Sequence, residues 1–193
     1  MTELIMIISP LAALLGVALT LYGQSAVSHR NRLFDLEKER MKFAHESAEK
    51  RLWLIRERLE KLHLLVGEIG REFSLTFLTI DWEAKLKRAE YHEKYRLLCS
   101  KLEEAQMIAD LYMQGVSEHL AMLDGEMNCY WGNFAQMLHL EGQGKKIDHT
   151  SKCYEEAFKY SRSIPEKVIA IQREIRDRSA KIMNHCQAAY PIH

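Results

Sequence analysis

Two residues late in the chain are of types that could do chemistry together. Arg178 and His185 bracket the run Arg-Ser-Ala-Lys-Ile-Met-Asn-His. On a helix, seven positions leave them about 20° apart around the axis and about 10 Å apart along it. They cannot bond to each other directly, yet both could face one phosphate or one partner surface. A histidine that titrates near neutrality beside a fixed cation suits metal-independent RNA cleavage. The same two residues also read as a surface cation and a half-buried histidine.

Other candidate motifs are weaker. Gly142-Gln-Gly-Lys-Lys resembles part of a phosphate-binding loop, but His139 stands where the first glycine belongs and no strand is expected before it. Glu60-Lys-Leu-His63 is the single Glu-x-x-His tetrad, whereas a carboxylate-bridged di-iron bundle needs two with further carboxylates. The cysteines at 99, 129, 153 and 186 include no C-x-x-C pair, so no metal or other cofactor is expected. Trp53, Trp82, Trp131 and the tyrosines read as packing anchors rather than base-stacking platforms.

The elements that must carry these residues follow from composition. Prolines occur only at 10, 165 and 191, and 47% of residues are apolar. That excludes a turn-rich antiparallel sheet and intrinsic disorder alike, and predicts an all-α chain. The 27 Lys and Arg equal the 27 Asp and Glu. With no basic excess to release counterions, DNA is not an expected partner.

Charge is nevertheless segregated, with Glu3 the sole formal charge in residues 1–29. The stretch from Leu4 to Gly23 holds twenty uncharged residues, about 30 Å of helix and so the depth of a hydrocarbon core. No basic residue precedes it and Tyr22-Gly-Gln-Ser-Ala is a poor cleavage site, which favours an uncleaved membrane helix over a signal peptide. Arg30, Arg32, Lys38, Arg40 and Lys42 come after it. The expected topology is therefore single-pass in the plasma membrane (the inner membrane in a bacterium), with the N-terminus outside and the bulk in the cytoplasm. Within the span, Ser9, Ala13, Gly16 and Thr20 put small groups on one face, an association surface or, in a ring, a pore wall.

Residues 24–66 lack Gly and Pro and continue the helix for about 64 Å. Ala13, Thr20, Val27, Phe34, Met41, Ala48, Ile55, Leu62 and Ile69 recur every seven residues without a charge. From Ala48 the second seam position is apolar too, giving Leu52, Ile55, Leu59, Leu62, Val66, Ile69 and Phe73 at alternating spacings of three and four. Lys38 and His45 weaken the seam higher up. It fits either a coiled coil between chains or an amphipathic helix folded onto its own bundle.

Further along, Asp81 is placed to cap a helix from Trp82 to about Gln114. Gly115 and Ser117 suggest a break before a helix from Glu118 to about Leu140, and residues 141–149 form a loop. A short helix to Arg162 follows, then a stop at Ser163-Ile-Pro165 and a last helix to Ala189. The expected domains are a transmembrane helix over 1–24, a stalk over 25–72 and a cytoplasmic bundle over 73–193.

An Arg-x4-6-His pair on the last helix of a small bundle resembles the motif of HEPN domains. A HEPN-like bundle behind one N-terminal transmembrane helix and a long stalk resembles the transmembrane accessory protein of type VI-B CRISPR systems. That resemblance implies a homo-oligomer in the lipid bilayer, a pore that strengthens antiviral defence, and an RNA-guided CRISPR nuclease as partner. Two other functions fit the same residues. One is a membrane-tethered HEPN-type ribonuclease or toxin using Arg178 and His185, and the other is a non-catalytic scaffold.

Overall fold

The computed structural model describes the backbone of residues 2–189 and the side chains of 17, 20–25, 27–182 and 184. Five helices and no strand occur among them: α1 Thr2–Glu72, α2 Leu75–Glu83, α3 Arg88–Tyr112, α4 Gln114–Gly142 and α5 Lys152–Ala189. The chain is all-α. It divides into two compact units, Met1–Arg51 and Leu52–His193.

The second unit is a helical bundle whose core is written in helical spacing. On α5, Ala157, Ile164, Val168, Ile171 and Ile175 are all buried at steps of three, four or seven. They pack toward α4, where Leu120, Leu123, Met127, Tyr130 and Phe134 are equally enclosed. Leu59, Leu62, Val66 and Ile69 bring the end of α1 into the same core, at 3%, 0%, 0% and 0% exposure. Each such aliphatic side chain contributes about 1.5–3 kcal/mol by leaving water. Gly70 lets α1 and α5 approach closely: a Cβ there would sit 2.7 Å from Val168 Cγ1.

Three local readings are corrected. Asp81 does not cap a helix. It lies inside α2, which is capped by Ser74, whose hydroxyl accepts from the Phe77 amide at 3.4 Å. Helix α3 begins only at Arg88, with the Glu90 carboxylate reaching back to the Lys87 amide at 3.1 Å. The break expected at Gly115 falls instead on Met113 (φ −150°, ψ 60°). There the missing side chain of Gly115 has another use: a Cβ would come 2.2 Å from Arg178 Nη2.

The third correction concerns Pro165, around which α5 runs unbroken. Proline removes one helical hydrogen bond, and tertiary contacts offset the loss. Glu126 of α4 accepts from Ser163 Oγ at 2.8 Å and pairs with Lys167 Nζ at 2.8 Å, gripping α5 on both sides of the proline. Ile164 and Val168, on either side of the proline, are buried in the core.

One polar centre joins four helices. Lys94 of α3 lies 2.9 Å from Glu72 Oε2 at the end of α1, and 3.0 and 2.9 Å from the two carboxylate oxygens of Asp81 on α2. Asp81 is only 7% exposed. Tyr130 of α4 lines the same pocket, with Phe73 edge-on to its ring at 5.1 Å. Burial works to lower the Lys94 pKa, but its hydrogen bonds to Asp81 and Glu72 and their charge outweigh this, so the net shift is upward.

Removing the ammonium would leave two neighbouring carboxylates without their cation. Lys94→Met should therefore lower unfolding stability by about 3 kcal/mol at neutral pH, read from urea denaturation. The folded pKa lies above the ordinary lysine value of 10.5. The stabilisation is thus complete below that value and is lost as pH rises through the higher one. The gap between parent and variant should narrow in that alkaline window.

Candidate functional site

Arg178 sits on α5, one turn beyond Glu174, and its Nη2 lies 2.8 Å from Glu174 Oε1. The other Glu174 oxygen is 3.3 Å from His119 Nδ1 on α4. That ring nitrogen also lies 3.2 Å from the Gly115 carbonyl. The guanidinium rests over Gly115, just past the Met113 break. Beside it, Ser117 Oγ donates to Asp110 Oδ1 across the α3–α4 junction. The result is a polar clasp that fastens α5 to the start of α4.

This arrangement bears on catalysis. Arg178 faces a carboxylate, and an RNA phosphate approaching it would meet Glu174 with the same sign of charge. His119, not His185, is the imidazole that the described contacts bring to this cluster. The His185 side chain lies outside the described residues, so the predicted pair is not assembled among them. Glu174 was open to recognition as the i,i+4 partner of Arg178. His119 carried no such signal, because its approach depends on how α4 packs on α5.

The remaining motifs have structural roles. Gly142 ends α4, and Gly144 takes φ +78° while the Lys145 amide donates back to the Leu140 carbonyl at 3.0 Å. That is a helix C-terminal cap rather than a phosphate cradle. His63 presents its backbone carbonyl to Gln172 Nε2 at 3.1 Å, tying α1 to α5. Among the described residues, no group of three or more His, Cys, Asp or Glu side chains could hold a metal ion. Cys99, Cys129 and Cys153 are free thiols, the last of them buried; the side chain of Cys186 is outside the described residues.

The α1 seam divides into two kinds of surface. Leu59, Leu62, Val66 and Ile69 belong to the bundle core, while Ala48, Leu52 and Ile55 are half-buried. Earlier on the helix, Val27, Phe34 and Met41 are exposed at 60%, 67% and 69%. Thr20 is exposed as well; the side chains of Ser9, Ala13 and Gly16 lie outside the described residues. Among the described residues no helix is long and apolar enough to cross a membrane, and most of the uncharged stretch over 4–23 lies outside that set. The chain matches no family model, no curated protein and no solved structure.

Two substitutions separate a clasp from a nuclease site. Arg178→Ala should cost about 1 kcal/mol or less, since the pair is partly exposed, and should be visible as a small shift in the urea midpoint. Incubated with labelled RNA in chelator, the parent, Arg178→Ala and His185→Ala proteins should all leave the substrate intact. Cleavage by the parent that disappears in both variants would reverse this reading.

Proposed function

We propose that this protein is a membrane-anchored, oligomeric effector or accessory protein whose bundle acts through protein contacts rather than catalysis. The observation that carries the reading is the run of large apolar side chains left in water on α1, with Val27, Phe34 and Met41 each more than half exposed. Soluble monomers rarely leave such a regular apolar line uncovered, and association or lipid is its usual cover. The sequence places this line directly after twenty uncharged residues, Leu4 to Gly23, that have the length of a membrane span. The pairing of Arg178 with Glu174 supports a non-enzymatic bundle.

Within the bilayer, Ser9, Ala13, Gly16 and Thr20 supply the face on which identical helices meet. Lipid offers no hydrophobic drive between helices, so close packing at small residues and hydroxyl bonds must provide the association. Oligomers of this kind permeabilise the membrane when their small-residue faces line an opening. The layout's resemblance to the type VI-B accessory protein supports antiviral defence as the setting and an RNA-guided nuclease as the partner of the bundle.

Gly16→Leu tests this directly. The substitution keeps the segment hydrophobic enough to insert while forcing neighbouring helices apart. Membrane fractionation should find the variant where the parent is. Chemical crosslinking should find smaller oligomers, and dye uptake by expressing cells should fall to background. A variant that crosslinks and leaks like the parent would remove the bilayer face from the mechanism.

A further inference from the structure

The exposed seam of the first unit carries a charge pattern that specifies its partner. Taking Val27, Phe34, Met41 and Ala48 as one core position of the heptad places Asn31, Lys38 and His45 at the other. A shallow groove lined by Thr20, Gln24, Val27 and Asn31 follows the same face. The positions flanking this core are Arg30, Glu37, Ala44 and Arg51 on one side, and Ser28, Asp35, Lys42 and Glu49 on the other. Leu33, Leu36 and Phe43 lie across the helix, outside the seam.

In a parallel, in-register pair each flanking residue meets the partner residue five positions further on. Arg30 then meets the partner's Asp35, and Glu37 meets the partner's Lys42. Both contacts are of opposite sign, and symmetry repeats each of them. Arg30, Asp35, Glu37 and Lys42 have no ion-pair partner within the described chain, whereas Arg56 further along pairs with Glu60 at 2.8 Å. The match ends where the first unit ends. Continuing the register would set Arg51 against the partner's Arg56, and from Leu59 onward the seam is buried in the chain's own bundle.

We infer that residues 27–48 of α1 form a parallel, in-register, two-stranded coiled coil with a second copy of this chain. The inference rests on the self-association proposed above and adds the orientation, register and strand number of the stalk, whose pairs are the units that the membrane face joins into a larger ring. Asn31 at a core position favours two strands, since the two amides can bond across the axis. Lys38 at the next can lay its stem in the seam and reach the partner's Glu37. Charged flanks point the same way, because assemblies of three or more strands bury those positions more deeply. Polar residues at three core positions make the coil weak alone, and anchoring both chains in one membrane raises their effective concentration.

The test uses the full-length protein in detergent micelles. Met41→Cys should form an intermolecular disulfide joining two chains, above the background of the parent's own cysteines, while Leu36→Cys on the far side should not. Equal capture at both positions, or three chains joined through Met41→Cys by a trifunctional thiol crosslinker, would overturn the assignment. Glu37→Lys should raise the concentration at which the stalks dissociate about tenfold, and Glu37→Lys with Lys42→Glu should restore it. In an antiparallel pair the residues meet as Arg30 with Glu37 and Asp35 with Lys42, so the double variant would be weaker than the single one. That result sinks the parallel register. If the stalk variants have no effect while Gly16→Leu still disperses the oligomer, this inference fails and the membrane reading stands. Failure of both sets removes self-association itself.

Discussion

The bundle depends on one cation. Lys94 is the point at which the end of α1, the short α2 and the long α3 are held in common, and it does so by placing one ammonium between two carboxylates. Buried ion pairs add little net stability relative to apolar residues of the same size, because desolvation consumes most of the attraction. What such a pair supplies is specificity: with Asp81 buried and Glu72 half-buried, any packing that moves Lys94 away leaves them unpaired. Helix α2 is nine residues long, too short to hold itself together in water. Its position is set by Asp81 on one side and by the buried Leu78 on the other.

The same logic recurs at Glu126. A continuous α5 through Pro165 is unfavourable by local rules, and it persists because Ser163 and Lys167 both find one carboxylate on α4. Glu174 does the corresponding work further along α5, where it meets Arg178 and His119. Three charged residues, Lys94, Glu126 and Glu174, each serving two partners, thus fix how the helices are placed around an otherwise apolar core. This explains why a chain with no net charge and more than a quarter charged residues still folds around a dry interior.

How much of this could be read from sequence follows from the range of each interaction. The all-helical class was legible, since scarce proline and a seven-residue apolar repeat are local properties of the chain. Asp81 was misread because an acidic residue before a polar run looks like an N-cap. Its true partner, Lys94, is thirteen residues on and meets it only after α2 and α3 fold together. Pro165 was misread for the same reason, its support lying about forty residues upstream on α4. At the candidate site, Arg178 was recognisable as a cation on the last helix. That its guanidinium would fill the space above Gly115 was not, because glycine signals a break as readily as it signals close approach.

The division of α1 is the last consequence of side-chain size along one face. Near its end the seam is flanked by Gly67 and Gly70, where missing side chains admit Gln172 and Val168 of α5, and Leu62, Val66 and Ile69 are buried in the chain's own bundle. Between Val27 and Met41 no glycine interrupts the helix, and the seam presents bulky Phe34 and Met41 beside unpaired charges of both signs. Apolar area and charge exposed together on a single helix are costly to leave in water and difficult to cover with another helix of the same domain. A neighbour with the same heptad and the complementary flank satisfies both at once, and a second copy of the chain is the partner that carries both by necessity.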